Sequence, residues 1–363
     1  MLRAGRVVVH ASNRTRTLAM RRRRFLASPA AAAILGVARP ASLGWLSTVA
    51  FHAPARADLA GGHRLGDLLV ERPATDRYVV RFTPRSERPL RIVQFTDTHF
   101  HPSETSRRTA DTIRTIVERE APDLVVHTGD FVNNDSAGKV EWTALEMMNG
   151  LAAPWTLCFG NHDYPVNRGE GARDLAEIHD CIAHGLQGHV ESDGVRHYCW
   201  RYDLHAGDAE RPAATLVFFQ VGYALGDRRV SPAQLAWFNA QMVADAARGS
   251  DCPITVFVHI PLREYHTLHD RGPVEGAKGE NVCFDSDTGE SFAAFAASAR
   301  VVAVFCGHDH VNDYHGQWEG VDLVYGRVSG WGGYGPPQWQ RGGRLVEIDL
   351  ANAPGRPRHH TVF

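Results

Sequence analysis

The chain has 363 residues, 44% of them hydrophobic and 22% charged, with 39 Lys and Arg against 41 Asp and Glu and a formal net charge of −2. That composition excludes a disordered, collagen-like or coiled-coil protein, and the length suffices to bury a large core without disulfide staples. The near-neutral total hides two regions: residues 1 to 57 hold ten arginines and no acid, leaving 29 basic against 41 acidic residues from Asp58 onward, a net charge of −12.

The amino-terminal region reads as a targeting segment. Arg21 to Arg24 precede Phe25-Leu26, then an alanine-rich run from Ala27 to Ala38 that carries Pro29, then small residues up to Ala55-Arg56-Ala57. A basic block, a short apolar stretch and a small-x-small site in that order have the layout of a secretory signal, and Arg-Arg-x-Phe-Leu resembles the twin-arginine type. The competing readings are a basic disordered tail and a start at Met20. As a signal, residues 1–57 are removed and 58–363 form a mature single domain in the periplasm or outside the cell. No later run reaches the ~18 apolar residues of a membrane helix, so stable membrane insertion is not expected.

Extended segments at Tyr78 to Phe82 and Arg91 to Phe95 flank the turn-rich Pro84 to Pro89 and predict a hairpin. Ser106 to Glu120 places Ile113, Ile116 and Val117 on one helical face, with Pro122 just beyond its end. Leu124 to His127 reads as a buried strand, Val140 to Met148 as a helix and Trp155 to Phe159 as a strand. Leu216 to Gln220, Ile254 to Val258 and Val301 to Phe305 repeat the short apolar pattern, and Pro232 to Ala247 is helical with Ser231 as its cap. Val321 to Tyr325 and Arg344 to Ile348 are expected as neighbouring strands. The alternation predicts an α/β layered domain.

Six cysteines all lie in the mature part, with no Cys-x-x-Cys spacing. Cys158 and Cys306 sit in apolar runs and read as small hydrophobes, while one disulfide among Cys181, Cys199, Cys252 and Cys283 is open.

In open α/β sheets ligands gather at the carboxyl ends of strands, so the residues directly after each apolar run carry the information. These are Thr96-Asp97-Thr98-His99, His127-Thr128-Gly129-Asp130, Gly160-Asn161-His162-Asp163, His259, and Gly307-His308-Asp309-His310. A lone Asp or His at a strand end is usually a capped turn. Five such clusters converging on one sheet edge would impose a large desolvation cost, and bound cations are the natural compensation. Mixed oxygen and nitrogen donors without thiolate suit Fe, Mn, Zn or Co rather than a structural Cys-type zinc site.

In order, Asp97-x-His99, Gly129-Asp130, Gly160-Asn161-His162-Asp163, His259 and Gly307-His308-x-His310 resemble the five blocks of the calcineurin-like metallophosphoesterases, over roughly Arg91 to Asp349. His259-Ile260-Pro261-Leu262 with Glu264-Tyr265, and Gly307-His308-Asp309-His310-x-Asn312-Asp313, look like the subgroup related to purple acid phosphatases that includes the Dcr2-type phosphatases. The resemblance implies a layered α/β/β/α sandwich with mixed sheets and a dinuclear centre. Asp97, His99 and His310 would hold one metal, Asn161, His259 and His308 the other, and Asp130 would bridge them. A bridging carboxylate fits two cations ~3.5 to 4 Å apart, and the implied reaction is attack of a metal-bound hydroxide on a phosphomonoester or phosphodiester.

By the same resemblance His162 is the general acid or transition-state donor at the leaving group, with Asp163 as its orienting partner. True purple acid phosphatases carry a tyrosine ligand three residues after the bridging Asp. Here that position is Asn133, so no charge-transfer colour is expected. Asn133 or Asn134 could touch substrate or simply form a turn, and Arg263 could pair with phosphate or remain solvated. His101 and His127 read as supporting or core residues. Substrates in view are small-molecule or protein phosphoesters. A metal-binding fold without catalysis is a second reading, disfavoured because all seven ligand positions and His162 are intact. A nuclease is a third, disfavoured by the charge of −12 and by only two lysines, Lys139 and Lys278.

Overall fold

The computed structural model describes residues 62–101, 103–133, 140–163, 182, 186–221, 228–352 and 355–363. The expected targeting segment, Asn134 and Cys181 lie outside the described residues. Residues 52–363 cluster as one compact unit.

Short β-branched and aromatic runs build two mixed sheets. The smaller has five strands: β4 (Leu90–Phe95), β5 (Leu124–His127) and β6 (Trp155–Leu157) run parallel, while β16 (Gly343–Ile348) joins β4 antiparallel and β17 (Arg358–Val362) closes the edge. The larger sheet has ten strands. Its centre is β9 (Cys199–Ala206), β10 (Ala214–Phe219), β11 (Ile254–Val258), β13 (Val301–Cys306) and β15 (Val321–Tyr325), with β10, β11, β13 and β15 parallel. On one side lie β1 (His63–Leu65), β2 (Leu68–Ala74) and β3 (Arg77–Phe82); on the other lie β14 (Asn312–Trp318) and β12 (Val274–Lys278). A separate hairpin pairs β7 (Val190–Ser192) with β8 (Val195–His197).

The two-residue period of each strand sorts its side chains into three cores. In β10, Leu216 and Phe218 enter the core between the sheets, whereas Val217 and Phe219 face outward. In β4, Ile92 faces the other sheet while Val93 and Phe95 face away. Helices α1 (Glu104–Glu120) and α2 (Val140–Asn149) cover the small sheet; α3 (Pro232–Ala247), α4 (Arg263–Arg271) and α5 (Glu290–Ala297) cover the large one. The result is the expected α/β/β/α sandwich. At the start of α3, Ser231 Oγ accepts from Gln234 N while Gln234 Oε1 accepts from Ser231 N, with Pro232 in the first turn, a complete capping box.

Two pairings differ from expectation. β3 and β4 form no hairpin: β3 pairs with β2 and β9 in the large sheet, β4 with β5 and β16 in the small one. Likewise β15 and β16 belong to different sheets. In each case the connection, residues 83–89 in the first and 326–342 in the second, passes from one sheet to the other. Cys158, Cys199, Cys252, Cys283 and Cys306 are all free thiols, so no disulfide forms among the described residues.

Candidate metal centre

The backbone leaving β4, β5 and β13 is bent by left-handed residues that ordinarily avoid that conformation: Asp97 (φ 54°), His99 (φ 45°), Asp130 (φ 50°) and His308 (φ 75°). Non-glycine residues there cost roughly 1–3 kcal/mol each and cluster where surrounding structure holds a site in place. Gly160 is required for space, since a Cβ on it would collide with the Asp130 carboxylate and the His259 ring.

These turns bring all seven expected ligand residues together, and three of the four histidines are fixed from behind. His259 Nδ1 lies 2.8 Å from the Thr128 carbonyl, His99 Nδ1 3.0 Å from Asn133 Oδ1, and His310 Nδ1 3.1 Å from the Tyr334 carbonyl. A carbonyl only accepts, so the Nδ1 of each ring carries a hydrogen, and when the ring is neutral Nε2 offers its lone pair to the centre. His308 is turned the other way, with its Nδ1 buried and without a partner. Asp97 Oδ2 accepts from Thr96 Oγ1 at 2.7 Å and His308 N at 3.0 Å, while its Oδ1 is buried and free of hydrogen bonds.

The donor atoms fall into two groups that share one residue. Asp97, His99, Asp130 and His310 offer ligand atoms within 4.8 Å of one another, as do Asp130, His259 and His308. Asp130 Oδ2 lies 3.5 Å from His99 Nε2, and its Oδ1 lies 3.3 Å from His259 Nε2, so the two oxygens face different groups. Asn161 joins the second through Oδ1, 3.2 Å from His259 Nε2. His99 Nε2 and His310 Nε2 stand only 3.0 Å apart. Two neutral imidazole lone pairs at that distance repel unless a cation lies between them, so the residues fit a metal.

The electrostatics agree. Burial pushes both Asp97 and Asp130 up, yet His310 beside Asp97 and His259 beside Asp130 hold each carboxyl well below the usual range. Burial opposes protonation of His259, but the Asp130 charge and hydrogen bond raise it to about 9; His308 goes the other way, to about 3, through burial and the neighbouring His259. Two carboxylates that stay ionised among imidazoles make a concentrated anionic seat for cations.

Other expected residues take different places. Asp163 does not orient His162. Its Oδ1 accepts from Val132 N at 3.0 Å and its Oδ2 from Gly160 N at 2.8 Å, clamping the loops after β5 and β6 together. His162 is held instead by its own amide, which donates to Asp130 Oδ1 at 2.8 Å, and its ring stands edge-on to His99 at 5.0 Å with Nδ1 unpartnered. Asn133 sits behind His99, orienting it. Arg263 is exposed at the first turn of α4, where its Nη1 donates to the Thr288 carbonyl at 3.2 Å. His101 Nδ1 bonds the His99 carbonyl at 2.9 Å, and His127 Nε2 pairs with Thr98 Oγ1 at 3.0 Å, both supporting the first turn. Two residues outside the seven expected ligands, Tyr334 and Asp309, back the turn that carries His310. Asp309 Oδ2 gathers the Tyr325 hydroxyl at 2.7 Å and Cys283 N at 3.1 Å, which ties down the turn between His308 and His310.

Residues 90–312 match the family model described as Calcineurin-like phosphoesterase. The chain belongs to that family. It is 26% identical over 326 residues to a protein of Arabidopsis thaliana named "Probable inactive purple acid phosphatase 29", covering 77% of this chain and 81% of that one. It is also 26% identical over 271 residues to "Phosphatase DCR2" of Saccharomyces cerevisiae, 64% of this chain and 46% of that protein. Among solved structures, a dimetal phosphatase from Danio rerio aligns over 76% of this chain and 99% of its own, at 14% identity and a TM-score of 0.49.

Proposed function

We propose that this protein is an exported dinuclear-metal phosphoesterase that hydrolyses a phosphomonoester or phosphodiester. The observation that carries this reading is the double-sided Asp130, whose two carboxylate oxygens face separate histidine groups. Asp97, His99, His310 and Asp130 would hold one cation, and Asn161, His259, His308 and Asp130 the second. Bound there, the pair would supply Lewis acidity toward a phosphoryl oxygen and a nucleophile at neutral pH.

The chain's own residues do the rest. The carboxylates of Asp97 and Asp130 keep the seat anionic, and the acceptors behind His99, His259 and His310 keep a lone pair on each inward nitrogen. His162, tethered through its amide to Asp130, is positioned to give a proton to the departing alkoxide oxygen. The neutral Asn161 adds an oxygen donor without cancelling positive charge at the second position.

Supporting export are the twin-arginine-like Arg21 to Leu26 and the small-residue stretch ending at Ala57. The scarcity of lysine argues against a nucleic-acid substrate. The test is metal analysis of the chain from Asp58 onward, coupled to a panel of phosphomonoesters, phosphodiesters, nucleotides and phosphoproteins. Turnover with Mn, Fe, Zn or Co is expected. Two bound ions with no turnover on any substrate would instead favour the catalytically silent alternative, which the word "inactive" in the Arabidopsis relative's name also raises.

A further inference from the structure

Behind His310 lies a loop, residues 330–341, that the phosphoesterase chemistry does not itself require. Gly332, Gly333 and Gly335 surround Tyr334, and Gly333 runs so close to the His310 and His99 rings that a Cβ would collide with them. A glycine-rich course has few side chains to fix it. Tyr334 provides the fixing. Its ring stacks on His310 with centroids 3.9 Å apart and planes 10° from parallel, and its carbonyl takes His310 Nδ1 at 3.1 Å. Its hydroxyl donates to the Glu280 carboxylate at 2.8 Å, and Glu280 Oε1 also accepts Val311 N at 3.0 Å, one residue beyond His310. The same Tyr334 carbonyl accepts from Arg341 Nη2 at 3.2 Å, anchoring it from the far side.

Tyr334 is 53% exposed, yet it touches His310 in three ways, through its ring, its carbonyl and its hydroxyl, which accepts from His310 N at 3.3 Å. We infer that the Tyr334 side chain is a positioning group that sets the ring plane of His310, whose tautomer the Tyr334 main-chain carbonyl fixes, and thereby selects how tightly the Asp97/His99/His310 position holds its ion. None of the other ligand histidines is stacked on a tyrosine among the described residues. The effect is therefore confined to one of the two positions. This inference rests on the metal-centre reading above.

The test uses the metal-free chain from Asp58 onward, titrated with Co(II) in competition with a chelator, while the visible bands of the bound ion are recorded. In Tyr334→Ala, which removes the stack and the hydroxyl but not the carbonyl, one of two equivalents weakens by about tenfold, the lower end of the range for loss of a group that orients a ligand histidine. The other equivalent keeps its affinity, and the spectrum of the weakened site changes. Both variants keep the main-chain carbonyl; Tyr334→Phe also keeps the stack and restores affinity to within about threefold of the parent. The melting temperature of the metal-free protein is the same in all three, while the rise on adding Co(II) shrinks only in Tyr334→Ala. Unchanged binding of both equivalents in Tyr334→Ala overturns the inference, as does equal weakening of both together with a lower metal-free melting temperature. If the parent chain binds no Co(II), the metal reading falls too; if it binds two equivalents but turns over no phosphoester, only the enzyme assignment fails.

Discussion

The two sheets contribute unlike halves of the centre. The strands of the small sheet end in Asp97, His99, Asp130 and Asn161, which bring both carboxylates and the amide oxygen. Those of the large sheet end in His259, His308 and His310, which bring only imidazoles. One sheet therefore sets the charge and the other supplies neutral nitrogen donors, and neither offers a complete set alone. The centre exists only where the core between the sheets holds the two edges in register.

The strongest way to break this division is at the residue facing both groups. Asp130→Asn is expected to lower bound metal below one equivalent and kcat by on the order of a thousandfold or more, a loss of several kcal/mol of charge stabilisation. Metal analysis alongside steady-state rates checks it, and a variant that keeps two ions would contradict the bridging role. The packing between the sheets comes next. Phe257, fully buried, stacks on Phe218 at 5.4 Å and Phe305 at 5.3 Å, two residues before His259. Phe257→Ala should cost about 3–5 kcal/mol in denaturant unfolding, and metal should be released in the same transition as secondary structure. Release well before unfolding would mean that one sheet holds the ions unaided.

A smaller effect is expected at His162. His162→Ala should retain both ions and lose about a hundredfold in kcat on alkyl phosphates, whose leaving group needs a proton, with a lesser loss on nitrophenyl phosphate. Equal losses on both would argue for a purely structural histidine.

The mildest signature is in pH. Burial holds His127, His308 and His359 neutral down to about 3, so between 6.5 and 3 the unfolded chain binds protons that the folded one does not, and stability falls on acidification. Asp163, pushed by burial and Asp130 to about 8, acts in the opposite sense above its usual range but is outnumbered. His259, raised to about 9 by Asp130, adds stability to the metal-free protein that is lost as pH rises from 6.5 through 9. Metal-free melting curves should therefore peak near 6.5. Loading should erase the alkaline fall attributable to His259, because a metal requires that ring neutral on both sides of the window. His127→Gln should flatten the acid limb by at most about 1.4 kcal/mol per pH unit.

The ligand residues were legible because each directly follows a short apolar run, a signal local in sequence. What stands behind them was not. Asn133 and Tyr334 touch His99 and His310 through contacts that no period or spacing announces, and Asp163 carries the composition of a His partner while its carboxylate clamps two main-chain amides. Strand existence was readable at β4, β5, β10, β11 and β13, but pairing was not. Nothing local in Arg91 to Phe95 says that its antiparallel neighbour lies some 250 residues away at Arg344 to Ile348. The edge strands β1, β12 and β17, and β14 beside the edge, are half-polar, and their composition alone does not distinguish them from loop.

The closest pair of ligand nitrogens, on His99 and His310, is separated by 211 positions in the chain. During synthesis the first half of the seat is therefore made long before the second, and β4 waits for β16 to cover its free side. Contacts of such separation form late, after loop-closure entropy has been overcome. Ion selection then belongs to the finished fold rather than to the emerging chain. The compartment that hosts the last folding step would then set which metals are offered to the seat.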